Sequence, residues 1–385
     1  MKITLSTIGK FHTFDLAREL HHAGHLQAIF TGYPGFKLKD EKLPSNKVRC
    51  FPWVQTPYMA INRWGLGNRS INRGLEYLGK SMLDRHVAAN LDGTDVFVGL
   101  SGSGLRSGRR IHAMGGKYVC DRGSAHIRIQ DRLLREEHDR WGLPFDGIDP
   151  RVMDTECAEY EEADCITVPS QFAVKSFLDA GVPFRKLRWL PYGVNLSRFE
   201  PTRMPESERF DILFVGALTL QKGVPYLLQA FKQLEHPRKR LHLVGSVDQR
   251  VIEAMKQKGL WSERITVHGH IPQTELKHIM SASHVMVLPS VQEGFGMVMA
   301  QAMACACPVI ASTHTGGPDL FDDGVEGYVI PARDADALAR RLQFMADQPD
   351  VRGLMSQRAL LRVRRLGGWR DYGLRAQQIY REIWT

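Results

Sequence analysis

The feature that most constrains this chain is the stretch Val285–Ser312, VMVLPSVQEGFGMVMAQAMACACPVIAS. Val285–Leu288 and Pro308–Ser312 are short apolar runs with β-branched residues, as in strands buried within a parallel sheet. Pro289 and Ser290 close the first run, so Glu293, Gly294, Phe295 and Gly296 must turn the chain. Met297–Ala304 then offers helix formers that are apolar on nearly every face, the pattern of a helix enclosed inside a domain. The predicted unit is βαβ. Its first loop sets a carboxylate and two glycines where unbonded N–H groups of a helix N-terminus can face an anion.

A chain of 385 residues is too long for one ordinary core, and two domains with a cleft between them are expected. Apolar content of 43% and charged content of 24% are those of a soluble globular protein. No run approaches the apolar length of a membrane-spanning helix, and Ile3–Ile8 is too short for the core of a signal peptide, so a cytoplasmic location is expected. Cys50, Cys120, Cys157, Cys165, Cys305 and Cys307 form no CxxC pair and read as buried, reduced thiols. The net charge of +9 is uneven: residues 36–117 hold 14 Lys or Arg against 6 Asp or Glu. No nucleic-acid-binding motif accompanies this surplus. A face for an anionic membrane, a face for a phosphorylated acceptor and a plain solvated face all remain open.

In chain order, Lys2–Ser6 reads as a strand, Phe14–Ala23 as a helix and Ala28–Phe30 as a second strand, a Rossmann-like opening. The intervening loop, Thr7–His12, carries Gly9 and His12 but does not match GxGxxG, which argues against a dinucleotide-dependent dehydrogenase. Between Tyr33 and Asn90 the chain is less regular, then helical, with Arg63, Trp64, Arg69 and Arg73 interleaved as on an interfacial surface or a plain exposed helix. Asp95–Leu100 is a strand followed by the glycine-rich SGSGLRSG of Ser101–Gly108, a possible anion loop. Lys117–Cys120 delivers Asp121, Arg122, Gly123, Ser124 and His126 to the sheet edge where ligands of such folds bind. Met153–Ala163 reads as a helix whose Glu156, Glu159, Glu161 and Glu162 face solvent. Ser170 caps a helix to Asp179, and the polar stretch Leu196–Glu208 reads as the interdomain linker.

The second half restarts the rhythm: strand Asp211–Val215, loop Gly216–Gly223, helix Val224–Gln233, and further alternation into the opening stretch. Strands and helices alternating in both halves predict two doubly wound α/β domains facing each other. Lys222 leaves the first strand of the second domain and can reach phosphates lying over the amides after Glu293. Eight helical residues from Glu293 to Gln301 would rise about 12 Å, comparable to the span from a sugar across a diphosphate to a ribose. Asp334, Ala335 and Asp336 spell a DxD, but they open a helix and read as cap and dipole partners, so no metal is expected there.

EGFGMVMAQAMACACPVIAS resembles the signature of the retaining family-4 glycosyltransferases of GT-B fold. FVGALTLQKGVPYLLQAF, VLPSVQEGFG, GGPDLFDDGVEGYVI, WLPYGVNLSRF and the closing Trp369–Trp384 segment extend the resemblance over nearly the whole chain. It implies an acceptor-side domain over 1–192, a nucleotide-sugar domain over 193–367, and a final helix, 368–385, packing back toward the first domain. It further implies that Glu293 meets the donor sugar hydroxyls, that Lys222 with the amides of Gly294, Phe295 and Gly296 holds the diphosphate, and that His268, Gly269 and Ile271 border the base through backbone contacts. Gly216 opens the Lys222 loop. Gly9 and His12 would lie on the acceptor side, and His126 and Asp121 would supply polar groups at the reaction centre. Two positions depart from the pattern: Gln301 stands where a second Glu pairs with the ribose, and Ala217 where an Arg often flanks the phosphates. A neutral amide still accepts one hydroxyl hydrogen bond.

The implied activity is metal-independent transfer of a sugar from a UDP- or GDP-sugar, a substrate rather than a bound cofactor, to a glycan, lipid-linked or small-molecule acceptor. The setting would be cell-surface polysaccharide or lipopolysaccharide synthesis, with peripheral membrane contact through residues 36–117. The alternative is a non-catalytic sugar-nucleotide or glycan binder of the same fold.

Overall fold

The computed structural model describes residues 1–63 and 69–384. Trp64 lies outside them, and of residues 60–63, 69–71 and 196, Arg63 and Arg69 among them, only the backbone is described. Seven strands build the first sheet: β1 Ile3–Thr7, β2 Leu26–Thr31, β3 Val48–Cys50, β4 Val96–Leu100, β5 Lys117–Asp121, β6 Cys165–Val168 and β7 Leu187–Trp189. Six build the second: β8 Phe210–Val215, β9 Lys239–Val244, β10 Ile265–Gly269, β11 Val285–Leu288, β12 Val309–Ser312 and β13 Gly327–Ile330. The orders are β3-β2-β1-β4-β5-β6-β7 and β10-β9-β8-β11-β12-β13, with every described pairing parallel. Both are the doubly wound order, in which the first strand of a half sits at the centre and ligands lie beyond the strand carboxyl ends.

The near-continuous apolar runs of the central strands follow from burial on both faces. In the first domain, Ile3, Leu5 and Val98 face a core that includes Phe14, Leu16 and Leu20 of the Thr13–His22 helix, while Phe97, Tyr118 and Ile166 face the opposite core. Tyr372, Ala376, Ile379 and Tyr380 of the last helix, Trp369–Trp384, join that first core. The chain thus crosses between domains twice, near Tyr192–Val194 and near Gly367–Trp369. The crossings touch, since a Cβ on Gly193 would lie 2.6 Å from the Trp369 nitrogen. Trp141, at the end of the Ile127–Trp141 helix, packs into the core of the second domain.

One surface reading changes. Glu156 and Glu159 are buried rather than solvated, because the helix that carries them, Pro150–Glu162, backs onto the glycine loop after β4. The basic stretch is partly neutralised within itself and by neighbours, with Lys80 bound to Glu76 at 2.8 Å, Arg109 to Glu162 at 3.3 Å and Lys117 near Asp164 at 3.7 Å. Phe36 and Trp53 remain 67% and 75% exposed on this side. No described helix is long and apolar enough to cross a membrane.

Candidate active site

Two loops at the carboxyl ends of the central strands β8 and β11 form the second domain's half of the site. They approach so closely that a Cβ on Gly223, whose φ is +71°, would lie 2.0 Å from the Pro289 carbonyl oxygen. Only glycine meets both the left-handed backbone and that contact. The Val291 N–H donates to the Gln221 carbonyl at 2.9 Å, and Gln221 Nε2 donates to Gln292 Oε1 at 2.6 Å. This lacing sets Lys222 and Glu293 side by side as an ion pair, and Glu293 Oε1 also accepts the Gly294 N–H at 3.1 Å. The helix begins only at Val298, so residues 293–297 form a turn and the expected continuous helical rise from Glu293 to Gln301 does not occur. Gly296, with φ +86°, takes the left-handed step that an L side chain resists.

The first domain's half is organised by β5. Asp121 accepts from Thr167 Oγ1 at 2.8 Å and lies 2.6 Å from His12 Nε2. His12 lines the cleft with Tyr192 tilted over its ring at 4.3 Å, whereas Asp121 is buried beneath it. Asp121 therefore acts on the cleft through His12, a correction to its expected direct role. His126 is also reassigned. It caps the Ile127–Trp141 helix by accepting the Arg128 N–H at 3.2 Å, and its ring sits between Tyr160 and Phe177 in the core. Burial first, then the nearby Arg122 and Arg128 charges, press its pKa down to about 4, so it stays neutral, and its ring does not line the cleft. Arg122 lines the cleft but is fixed by Glu156 at 2.7 Å, the Ala125 carbonyl at 3.0 Å and Gln130 at 2.6 Å. Gly9 is buried with its carbonyl accepting from Thr7 Oγ1, and its neighbours Ile8, Lys10 and Phe11 line the cleft instead.

The halves meet at Gly294 and Gly123, where a Cβ on Gly294 would fall 1.9 Å from the Gly123 carbonyl oxygen. Three hydrogen bonds flank this contact. Ser170 Oγ donates to the Gly294 carbonyl at 2.6 Å, Gln292 Nε2 donates to Ser124 Oγ at 2.6 Å, and the Gln171 N–H donates to Asp319 at 3.1 Å. Burial pushes the Asp319 pKa up to about 6. The cleft has a volume of about 1350 Å³, and Gln273, Met297 and Gln301 line it from the second domain. Lys222 and Glu293 are not among its lining residues; each is turned to the other. Gln301 has no side-chain hydrogen-bond partner among the described residues. On the expected base side, the His268 ring is tied to His242 at 3.1 Å and the Gly269 carbonyl accepts the Gly245 N–H at 2.8 Å. Ile271 packs on the core, and the Gly216 N–H donates to the Val244 carbonyl at 2.9 Å.

The glycine-rich Ser101–Gly108 loop is not an open anion site. Both Glu159 oxygens already accept from it, from the N–H groups of Gly102 and Gly104 at 2.6 Å each. Asp84 takes the Arg106 and Ser107 N–H groups at 2.8 and 3.0 Å. Burial raises the Glu159 pKa to about 8 against the opposing pull of those donors. Asp334 caps its helix through the Ala337 N–H at 2.7 Å, and Asp336 accepts from Gln233 at 2.8 Å. Sequence reasoning gave Ser170 a cap and passed over Gln292 and Asp319. A polar residue in a loop carries no local sign that its partner belongs to another domain.

Two parallel, doubly wound domains closing on a cleft at their strand carboxyl ends define the GT-B fold, and solved structures bear this out. Sucrose-phosphate synthase from Thermosynechococcus elongatus superposes with TM-score 0.73 at 23% identity, covering 100% of this chain and 99% of that one. HepE from Anabaena in complex with UDP-glucose gives 0.70 at 16% identity, covering 99% and 100%. Residues 199–362 match the family described as Glycosyl transferases group 1. Among curated relatives, the putative colanic acid biosynthesis glycosyltransferase WcaL of Escherichia coli K12 is 30% identical over 42% of this chain and 42% of its own length. An uncharacterized 41.2 kDa protein in the cps region of Klebsiella pneumoniae is 27% identical over 46% and 50%. The chain thus spans half or less of the length of the curated relatives it matches.

His126 gives the site region a pH signature. Its pKa near 4 in the fold against about 6.5 when unfolded means that the unfolded chain binds the extra proton first, so stability is lost as pH falls from about 6.5 toward 4. His126→Asn keeps a capping oxygen and removes the titration. Between pH 7.5 and 5 its unfolding midpoint should fall less than that of the wild type; equal falls would contradict the buried neutral imidazole.

Proposed function

We propose that the protein is a glycosyltransferase that moves a sugar from a UDP- or GDP-sugar to an acceptor hydroxyl with retention of anomeric configuration. The observation that carries this reading is the Lys222–Glu293 pair beside the Gly294–Gly296 turn at the domain joint. A diphosphate entering there competes with Glu293 for Lys222, and the N–H groups after Gly294 add donors along the same edge. Freed from Lys222, the Glu293 carboxylate becomes an acceptor for sugar hydroxyls. The two groups thus exchange one mutual contact for two ligand contacts.

Catalysis in this reading lies in stabilising charge on the departing diphosphate, by Lys222 and by N–H dipoles already fixed in place. The acceptor approaches from the first domain's wall, past His12 and Ser124. In the retaining, same-face path, a leaving phosphate oxygen takes the acceptor proton as the new glycosidic bond forms, and the nucleoside diphosphate departs. Closure of the domains excludes water and limits donor hydrolysis. Gln301, unpartnered on the cleft wall, is placed in this reading to accept a ribose hydroxyl. The UDP-glucose bound by HepE and the colanic acid biosynthesis in WcaL's name support a nucleotide-sugar donor and a polysaccharide setting. Metal independence and a cytoplasmic location belong to the same proposal.

A panel of UDP- and GDP-sugars screened by thermal shift, followed by nucleoside diphosphate release with candidate glycan acceptors, tests the reading. Glu293→Ala and Lys222→Ala should each lower release by about 100-fold with unchanged unfolding midpoints; full activity in both would refute the assignment. The anomeric coupling of the product in an NMR spectrum should match that of the donor, and an inverted product would overturn the retaining step. For the basic side bearing Phe36 and Trp53, we propose peripheral contact with anionic membranes. Co-sedimentation with phosphatidylglycerol vesicles should be strong at low salt and weak at high salt, and no binding at low salt would contradict it.

A further inference from the structure

We infer that Ser170 is a positioning residue of the donor site, coupling the orientation of the diphosphate-binding amides to contact with the other domain. The inference rests on the donor reading given above.

Ser170 is fully buried and does two things with one hydroxyl. It accepts the Ala173 N–H at 3.2 Å, capping the Gln171–Asp179 helix, and donates its own proton to the Gly294 carbonyl at 2.6 Å. The first is local capping; the second crosses from the first domain to the second. Because the peptide unit is planar and trans, a carbonyl held in one direction fixes the following N–H in the opposite one. The Gly294 carbonyl shares its plane with the Phe295 N–H, so the hydroxyl of Ser170 sets where that N–H points. The next plane is fixed likewise, as the Phe295 carbonyl accepts the Gly316 N–H at 2.8 Å. Among the described residues no protein acceptor meets the N–H groups of Phe295 and Gly296. These donors are aimed by contacts on their far sides and meet no protein acceptor among the described residues, as the donors of a preorganised anion site would.

The coupling follows from where the contacts originate. Gly294 cannot anchor its own carbonyl, because it has no side chain and its Cβ position lies 1.9 Å from the Gly123 carbonyl oxygen. The anchor therefore comes from the other domain, and it is released when the domains part. Asp319 reinforces it from the opposite direction, accepting the Gln171 N–H that neighbours Ser170. One helix N-terminus thus engages both the donor loop and the short Gly317–Leu320 helix after β12, so nucleotide affinity is tied to closure.

Ser170→Gly separates positioning from capping, since glycine at an N-cap costs only a few tenths of a kcal/mol but has no proton to donate. Ser170→Thr keeps both roles, and Ser170→Ala provides a second loss variant should the glycine protein not fold. Affinity for UDP and for GDP is measured by calorimetry on the full chain, alongside unfolding midpoints. The expected result is that the nucleotide bound by the wild type binds about fivefold more weakly to Ser170→Gly or Ser170→Ala, as loss of one hydrogen bond gives. Ser170→Thr should restore binding to within twofold. Wild-type affinity in the glycine and alanine variants would overturn the positioning role while leaving the donor site intact. A wild type that binds neither nucleotide would overturn the donor reading itself, and this inference with it.

Discussion

The architecture depends on the approach of Gly294 to Gly123. Gly294 could not carry even a methyl group, because a Cβ there would lie 1.9 Å from the facing Gly123 carbonyl oxygen. That contact brings the loop after β11 in one sheet against the loop after β5 in the other. Everything else at the site follows from it. Ser170 reaches the Gly294 carbonyl, Gln292 reaches Ser124, and His12 comes to face a wall bearing Gln301. Two independently wound sheets, each with its own core, become one cleft because glycine lets backbone meet backbone.

Internal carboxylates take up several backbone donors at loops and helix starts. The N–H groups of the glycine loop after β4 are taken by Glu159, those opening the next helix by Asp84, and those opening the Ala335–Asp347 helix by Asp334. At the start of the Gln171–Asp179 helix, Asp319 accepts the Gln171 N–H and Ser170 the Ala173 N–H. Buried donors are ordinarily paired in this way. At the turn after Glu293 the first N–H meets the Glu293 carboxylate, and those of Phe295 and Gly296 meet no protein acceptor among the described residues. Among the described residues the Lys222 ammonium is paired only with Glu293. A Lys–Glu contact of this kind is exchangeable in a way that the threefold-anchored Arg122 is not.

Much of the fold was legible because its signals are local. Val285–Leu288 and Val224–Gln233 are bounded in the structure as their apolar pattern and flanking Pro and Gly predict, and Ser170 and Asp334 cap the helices their sequence positions suggest. The misreadings share a cause. Glu159 reads as a solvated helix residue and SGSG as an anion loop, each for a sound local reason; in three dimensions each satisfies the other. His126 follows a strand end, where sites concentrate, yet the backbone turns its ring inward onto Tyr160 and Phe177. Asp121 and His12 were both visible as candidates, but 109 residues separate them, and only the β1-β4-β5 order brings them into contact. The helix after Gly296 starts within one residue of the expected Met297, but the continuous helical rise assumed from Glu293 fails because Gly296 itself takes a left-handed conformation.

The most direct test of this account is a crystal structure with UDP, or with GDP if that binds more tightly. The account predicts a diphosphate within hydrogen-bond distance of the Phe295 and Gly296 N–H groups and of Lys222 Nζ, with Glu293 released from Lys222 and the Ser170–Gly294 bond retained. A nucleotide bound elsewhere, or bound with the Lys222–Glu293 pair intact, would contradict it.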